Sequence, residues 1–266
     1  MNIQGKVAVV TGSGGKGCGR AIACRFAHEG ASVVVSDINE SGGLETVRRI
    51  ADAGGQAAFC RTDVQVPEQM RNLIQFAEQT YGPLGIFVNN ASGPGYRPDV
   101  PLEFWSETMQ IELFGTMHGI GFAIDAMRRS GGGAIVNMGS ISALWHGRTK
   151  PGSPSYDAAK SAVLRLTTGL AWLGEKERIR VNCFTPGWIA TEEVRSYWET
   201  LTPEQRSDLW APARLLELDE VADAVVRLAT DESLAGRVLV WWSDDAPGLI
   251  PWCDPGYVKL DAITLR

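Results

Sequence analysis

Lys6-Val7-Ala8-Val9-Val10-Thr11-Gly12-Ser13-Gly14-Gly15-Lys16-Gly17-Cys18-Gly19 is the stretch that decides the fold. Its first six residues form a short apolar run of buried-strand character. After the glycines, Ala21, Ile22, Phe26 and Ala27 recur at helical spacing, so the glycines fall between a strand and a helix. Glycine lets the backbone turn tightly and approach a pyrophosphate, while a helix N-terminus offers unpaired N–H groups and partial positive charge. Gly12, Gly14 and Gly17 match the dinucleotide-binding spacing. A second apolar run, Ser32 to Ser36, ends in Asp37, a carboxylate placed to accept hydrogen bonds from an adenosine ribose.

Outward from this unit, strand and helix alternate. Strand patterns fall near 7–11, 32–37, 56–61, 84–89, 133–138, 178–184 and 237–243. Helical patterns fall near 19–29, 40–53, 67–80, 103–128, 155–174, 203–210 and 218–229. The alternation predicts an α/β fold: a Rossmann-type, doubly wound parallel sheet of about seven strands with helices on both faces. The carboxyl ends of the strands then form the ligand crevice. Thr11, Asp37, Asn89, Ser140 and Phe184 all fall near those ends.

Tyr156-Asp157-Ala158-Ala159-Lys160 lies inside one helical pattern, which puts Tyr156 and Lys160 on one face, a turn apart. A free phenol titrates near ~10, and a neighbouring cation favours the phenolate and pulls that value down. The pair suits acid/base chemistry, although the spacing alone equally describes a surface tyrosine and lysine on any helix.

Taken together, these residues resemble the short-chain dehydrogenase/reductase family, from about Gly5 to Val240. The family's cofactor turn maps onto Thr11, Gly12, Gly17 and Gly19, with one residue more than the usual spacing. Its Asn-Asn-Ala-Gly segment appears as Asn89-Asn90-Ala91-Ser92, with Ser92 in the glycine position. Its catalytic serine maps onto Ser140, its Tyr-x-x-x-Lys pair onto Tyr156 and Lys160, and its Pro-Gly turn onto Pro186-Gly187-Trp188-Ile189-Ala190-Thr191. The asparagine that usually completes a catalytic tetrad is replaced by Glu112, which holds a water, pairs with the Lys160 ammonium, or is displaced in register and solvated.

The resemblance implies hydride transfer between a nicotinamide cofactor and a secondary alcohol or ketone. Ser140 would donate a hydrogen bond to the substrate oxygen, Tyr156 would exchange the proton, and Lys160 would tune Tyr156 and hold the nicotinamide ribose. Ser142 is an alternative to Ser140. The family's cofactor contacts fall here on Gly12, Ser13, Gly17, Cys18, Gly19, Asp37, Ile38, Asp63, Val64, Asn90, Ala91, Tyr156, Lys160, Pro186, Gly187, Ile189 and Thr191. Asp63 reads equally well as a turn or cap acid. Asp37 favours NAD, whereas Lys16 in the glycine turn is a feature that accompanies NADP; the carboxylate argues for NAD with NADP possible. Family members with a recycled cofactor act as epimerases or dehydratases, and a non-catalytic dinucleotide sensor is a third reading.

The 266 residues, 44% apolar, suit one dinucleotide-binding catalytic domain over 1–266, with an atypical C-terminal tail over 244–266. A formal charge of −6 and the lack of a basic run argue against nucleic acid, and no apolar stretch approaches a membrane span. The chain is expected to be cytoplasmic, with Cys18, Cys24, Cys60, Cys183 and Cys253 as free thiols and no metal site. Trp145, Trp188 and Tyr96 occupy loops expected around a small-molecule carbonyl or alcohol substrate and hint at an apolar or cyclic one. The family commonly forms homotetramers, and the apolar patterns of 103–128 and 155–174 offer faces for a tetramer or dimer. Trp252 and Tyr257 suggest that the tail packs on a neighbour or over the crevice.

Overall fold

The computed structural model describes residues 1–93, 101–144 and 153–254. Trp145 and Tyr96, expected around the substrate, and Tyr257 of the tail lie outside the described residues. One sheet organises the rest, with strand order β3-β2-β1-β4-β5-β6-β7-β8. The first five strands are β1 (Val7–Thr11), β2 (Ser32–Asp37), β3 (Gln56–Arg61), β4 (Leu84–Asn89) and β5 (Gly133–Met138), and β6 (Ile179–Pro186) and β7 (Val238–Trp241) follow. All pair in parallel. An eighth strand, β8 (Gly248–Leu249), pairs antiparallel with β7.

The near-continuous apolar runs of β1, β4 and β5 are buried at every residue, as strands covered on both faces require, and β6 is buried throughout although Arg180, Asn182 and Thr185 interrupt its apolar residues. Alternation within β1 divides the core. Ala8 and Val10 pack with Val33, Ile22, Phe26 and Val225 on one face, and Val7 and Val9 pack with Val34, Leu73, Phe87 and Met127 on the other. The first core is covered by α1 (Cys18–His28), α2 (Glu40–Asp52) and, later in the chain, α10 (Leu218–Thr230). The second is covered by α3 (Pro67–Tyr81) and α5 (Thr116–Ser130). Helix starts follow local chemistry: Asn39 Oδ1 accepts from the Gly42 amide at 3.1 Å, and Pro67 enters at the first turn, where its missing N–H costs nothing.

Three differences from the periodicity have physical causes. The pattern at 103–128 is not one helix. It is α4 (Glu103–Met109), a π-helical segment (Gln110–Gly115) and α5, because one extra residue is absorbed within that segment. The pattern at 155–174 divides into α6 (Pro154–Gly169) and α7 (Trp172–Glu177). Helix α8 (Glu192–Thr200) carries no fully buried residue, and its short stripe of Val194, Tyr197 and Trp198 lies outside the helical patterns, whereas α9 (Pro203–Asp208) is marked by the Thr202/Gln205 capping box. In the tail, the Arg237 guanidinium donates to the Ile250 carbonyl at 3.0 Å and lies 4.8 Å from the Trp252 ring centroid; Trp252 itself is 58% exposed.

Strand order reverses between β1 and β4, which opens a crevice at their carboxyl ends. Thr11, Gly12, Asn89 and Asn90 stand there together.

Candidate active site

The glycine turn is built by its neighbours. Gly12 has φ +65°, and a Cβ on it would stand 2.6 Å from Ala91 Cα; at Gly19 a Cβ would meet the Gly12 carbonyl oxygen at 2.2 Å. Both positions exclude a side chain. Asn90 Nδ2 donates to the Thr11 and Gly12 carbonyls at 2.8 and 3.1 Å, and the amides of Asn90 and Ala91 donate to Thr11 Oγ1 at 3.0 and 3.1 Å. The turn is thereby clamped to the end of β4, with Gly15 and Lys16 exposed toward solvent and Gly17 capping α1. Ser13 is fully buried; its hydroxyl donates to the Val10 carbonyl at 2.7 Å and accepts from the Ser36 amide at 3.1 Å. Cys18 is the first residue of α1, and burial pushes its thiol up to about 11.

Asp37 Oδ2 accepts from the Gly14 amide at 2.7 Å and Oδ1 from the Asn39 amide at 2.9 Å, so the second-strand carboxylate is oriented by the turn itself. Ile38 beside it is 61% exposed. Lys16 Nζ reaches Glu192 Oε2 at 3.1 Å, from the glycine turn to the start of α8; both groups are exposed, so this pair adds little stability. Asp63 Oδ1 accepts from the Gln65 amide at 2.9 Å, which is turn chemistry, and Val64 is buried, with its carbonyl 3.0 Å from His118 Nδ1. On the far side, Gly187 donates its amide to the Trp241 carbonyl at 2.8 Å. Ile189 bridges Leu216, and Thr191 Oγ1 accepts from the Val194 amide at 3.3 Å to cap α8. Trp188 stacks on Tyr197 with ring centroids 6.2 Å apart.

Ser140 follows β5, and the 3₁₀ turn Ile141–Leu144 carries the chain onward. Ser140 Oγ accepts from the Ser142 amide at 3.2 Å and is hydrogen-bonded to the Tyr156 phenol. Ser142 is buried. Helix α6 presents both Tyr156 and Lys160, with Nζ 5.5 Å from the phenol ring centroid. The helix is fixed by Ser161 Oγ donating to the Ala143 carbonyl and by Thr167 accepting from Asn137 Nδ2 at 3.0 Å; Asn137 Oδ1 in turn accepts from Asn89 Nδ2 at 2.8 Å.

Glu112 pairs with the lysine: Oε2 lies 2.9 Å from Lys160 Nζ, and both side chains are at least nine-tenths buried. The ammonium also donates to the Met138 carbonyl at 2.8 Å. The other carboxylate oxygen accepts from Ser92 Oγ at 2.6 Å and from the Gly93 amide at 2.9 Å. Burial works to raise the Glu112 carboxyl, but Lys160, Ser92 and Gly93 overcome it and hold it below the ordinary carboxylate range. Burial likewise works against the Lys160 ammonium, and Glu112 and Tyr156 outweigh it and hold the group above the usual lysine range. Tyr156 moves the other way from the sequence expectation. Burial is the largest influence and pushes the phenol up; Lys160 and Ser140 pull it down, Glu112 pushes with burial, and the result is a raised value.

Three buttresses escaped the sequence reading. Arg20 donates to Thr46 Oγ1 at 2.9 Å and to the Gly14 and Gly42 carbonyls at 3.0 and 3.2 Å, and Thr46 donates to the Ser13 carbonyl at 2.8 Å. A Cβ on Gly42 would stand 2.0 Å from the Gly14 carbonyl oxygen. The signal was present as two adjacent glycines, Gly42 and Gly43, inside a helical pattern, which implies close backbone packing.

Residues 6–202 match the family model of short chain dehydrogenases. The chain is 35% identical over 246 residues to a 7alpha-hydroxysteroid dehydrogenase of Escherichia coli strain K12, covering 90% of this chain and 93% of that protein. It is 33% identical over 231 residues to a cyclohexanol dehydrogenase of Acinetobacter sp. strain SE19, covering 86% and 89%. A solved 7 alpha-hydroxysteroid dehydrogenase complexed with NADH and 7-oxo glycochenodeoxycholic acid superposes with a TM-score of 0.80 at 34% identity, covering 90% of this chain and 94% of that one. The motif order, the sheet and these likenesses agree, and the chain belongs to the short-chain dehydrogenase/reductase family.

Proposed function

We propose that this chain is a single-domain oxidoreductase that interconverts a cyclic secondary alcohol and its ketone with NAD, using Tyr156 as general acid and base. One observation carries the reading: a continuous run of contacts links Gly12 through Ala91, Ser92 and Glu112 to Lys160, and the helix that bears Lys160 sets Tyr156 against Ser140.

The residues present fit a nicotinamide dinucleotide. Its pyrophosphate would lie on the bare turn, where a Cβ on Gly15 has only one neighbour within 4 Å, at 3.9 Å, and where α1 begins. Asp37 would hold the adenosine ribose, since each engaged carboxylate oxygen keeps a second lone pair, and would repel a 2′-phosphate. Ile38, Ala91, Pro186 and Thr191 would contact the bound dinucleotide, as the family resemblance implies. When bound, the nicotinamide supplies or accepts the hydride.

The chain's own groups handle the proton and the oxygen. In ketone reduction, Ser140 Oγ–H donates to the carbonyl oxygen while the protonated Tyr156 phenol delivers its proton there. In alcohol oxidation, the phenolate of Tyr156 accepts the hydroxyl proton. A raised phenol favours the proton-donating form at neutral pH. Lys160 stabilises the phenolate as it forms. The ring preference rests on two relatives named for a hydroxysteroid and cyclohexanol, and on the Trp188–Tyr197 stack beyond the Pro-Gly turn. Self-association through the α5 and α7 face, where Met117 and Trp172 are 42% and 47% exposed, belongs to the same proposal.

A panel of cyclic ketones and secondary alcohols, followed by NADH and NADPH absorbance, tests the activity. Tyr156→Phe is expected to lower kcat by roughly 10²–10⁴-fold with NAD binding retained by calorimetry. Full turnover in that variant would remove Tyr156 from the mechanism.

A further inference from the structure

Contacts from Ser92 and Lys160 converge on one buried carboxylate. Ser92 and Glu112, which by the resemblance occupy a glycine and an asparagine position, meet in space, and the Ser92 hydroxyl donates to Glu112 at 2.6 Å. The π-helical turn that displaces the helical register contains Glu112. Its other oxygen faces Lys160 at 2.9 Å inside the protein, where solvent does not screen the pair. We propose that Glu112, braced by Ser92 and the Gly93 amide, is a positioning residue that neutralises Lys160 and thereby sets the pH at which Tyr156 can accept a proton from an alcohol.

The geometry leaves Lys160 with its charge already matched. An ammonium alone beside a phenol favours the phenolate; the same ammonium in contact with a carboxylate presents a dipole, and its influence 5.5 Å away at the Tyr156 ring is weaker. The other groups around α6 do not replace this effect. Asp157, on the same helix, adds a second negative charge that disfavours the phenolate. Cys183 of β6 lies near Lys160 with its thiol pushed up to about 11 by burial, so it is uncharged at neutral pH. Glu107 of α4 is exposed, and Arg180 of β6 is spent on the carbonyls of Leu228 and Asp231. Loss of the Glu112 charge therefore releases the full cation toward Tyr156, and the phenolate forms at lower pH.

The inference rests on Tyr156 as the proton carrier, and its test does not require turnover. The ultraviolet absorbance of tyrosinate is titrated in the full chain with NAD added and again without, and the Tyr156→Phe spectrum is subtracted to isolate Tyr156. Glu112→Gln, which removes the charge and keeps an acceptor for Lys160, is expected to lower the Tyr156 midpoint by about one pH unit. Glu112→Asp, which keeps the charge, is expected to leave it within a few tenths of a unit. Should Glu112→Gln not fold, Ser92→Gly/Glu112→Asn carries the same expectation. The acid limb of alcohol oxidation should move with the midpoint. Equal midpoints in the parent and the neutral variants would overturn the proposal while leaving the oxidoreductase reading intact. A shifted midpoint in a protein inactive on every alcohol and ketone would uphold the control of Tyr156 titration by Glu112 and overturn its link to alcohol oxidation together with the oxidoreductase reading.

Discussion

Gly12→Ala and Gly15→Ala form a matched pair within one turn, and the structure assigns them opposite outcomes. At Gly12 the backbone is left-handed, which costs an alanine about 1–2 kcal/mol. The added methyl would also stand 2.6 Å from Ala91 Cα, 3.0 Å from the Ala91 nitrogen and 3.1 Å from Asn90 Nδ2. Two of those atoms are backbone held by Thr11, so relief requires moving the end of β4, and overpacking of this kind costs about 1–3 kcal/mol. The stiffer unfolded chain returns roughly 0.4–1 kcal/mol, leaving a net loss of about 1–5 kcal/mol. At Gly15 the nearest atom to the new methyl is 3.9 Å away and the backbone is not left-handed, so only the favourable unfolded-state effect remains. Urea denaturation followed by circular dichroism measures both, and calorimetry measures NAD uptake. Gly12→Ala should unfold at clearly lower urea and bind NAD poorly, while Gly15→Ala should unfold at or above the parent midpoint. Indistinguishable midpoints for the two variants would refute the reasoning that the clamp to Ala91, rather than glycine richness, makes the turn.

Asp37→Ala removes the charge that would face a 2′-phosphate, so the ratio of kcat/KM with NAD to that with NADP should fall at least about tenfold, roughly 1.4 kcal/mol; steady-state kinetics with both cofactors checks this, and an unmoved ratio counts against Asp37 as the discriminator. Arg180→Met strips donors from the buried carbonyls of Leu228 and Ala229 and the partly buried carbonyl of Asp231 at the end of α10 and should cost about 3 kcal/mol, lowering Tm by roughly 6–12 °C in differential scanning calorimetry. A Tm within a degree of the parent would show that water replaces the guanidinium there.

The strands were the most legible part of the chain because each signal is local. The runs at 7–11, 32–37, 56–61, 84–89 and 133–138 coincide with the first five strands residue for residue, being apolar segments bounded by glycine, aspartate or asparagine. Helix α8 falls outside the helical patterns for a different reason: Val194, Tyr197, Trp198 and Leu201 do recur at helical spacing, but the run is short, follows the Pro-Gly turn directly and is only half-buried at Val194 and Trp198. The two-residue β8 was silent, since Gly248 and Leu249 are both exposed and pair with the backbone of β7 at Val240 and Leu239.

The site divides along the same line, but its chemistry depends on what local signals omit. The glycine turn, Asp37 and the Tyr156/Lys160 spacing were readable because each is contained in a few adjacent residues. Whether Glu112 held water or the ammonium was not, because helical periodicity assumes a constant 3.6 residues per turn and carries no trace of the extra residue absorbed at 110–115. That slip orients the carboxylate toward Lys160, forty-eight positions later in the chain, and toward Ser92, twenty earlier. The direction of the Tyr156 shift then follows from a balance between burial and Glu112 on one side and Lys160 and Ser140 on the other, contributed by three separate segments. A motif can name the proton carrier, but the pH at which it works is set by the partners that the fold brings to it.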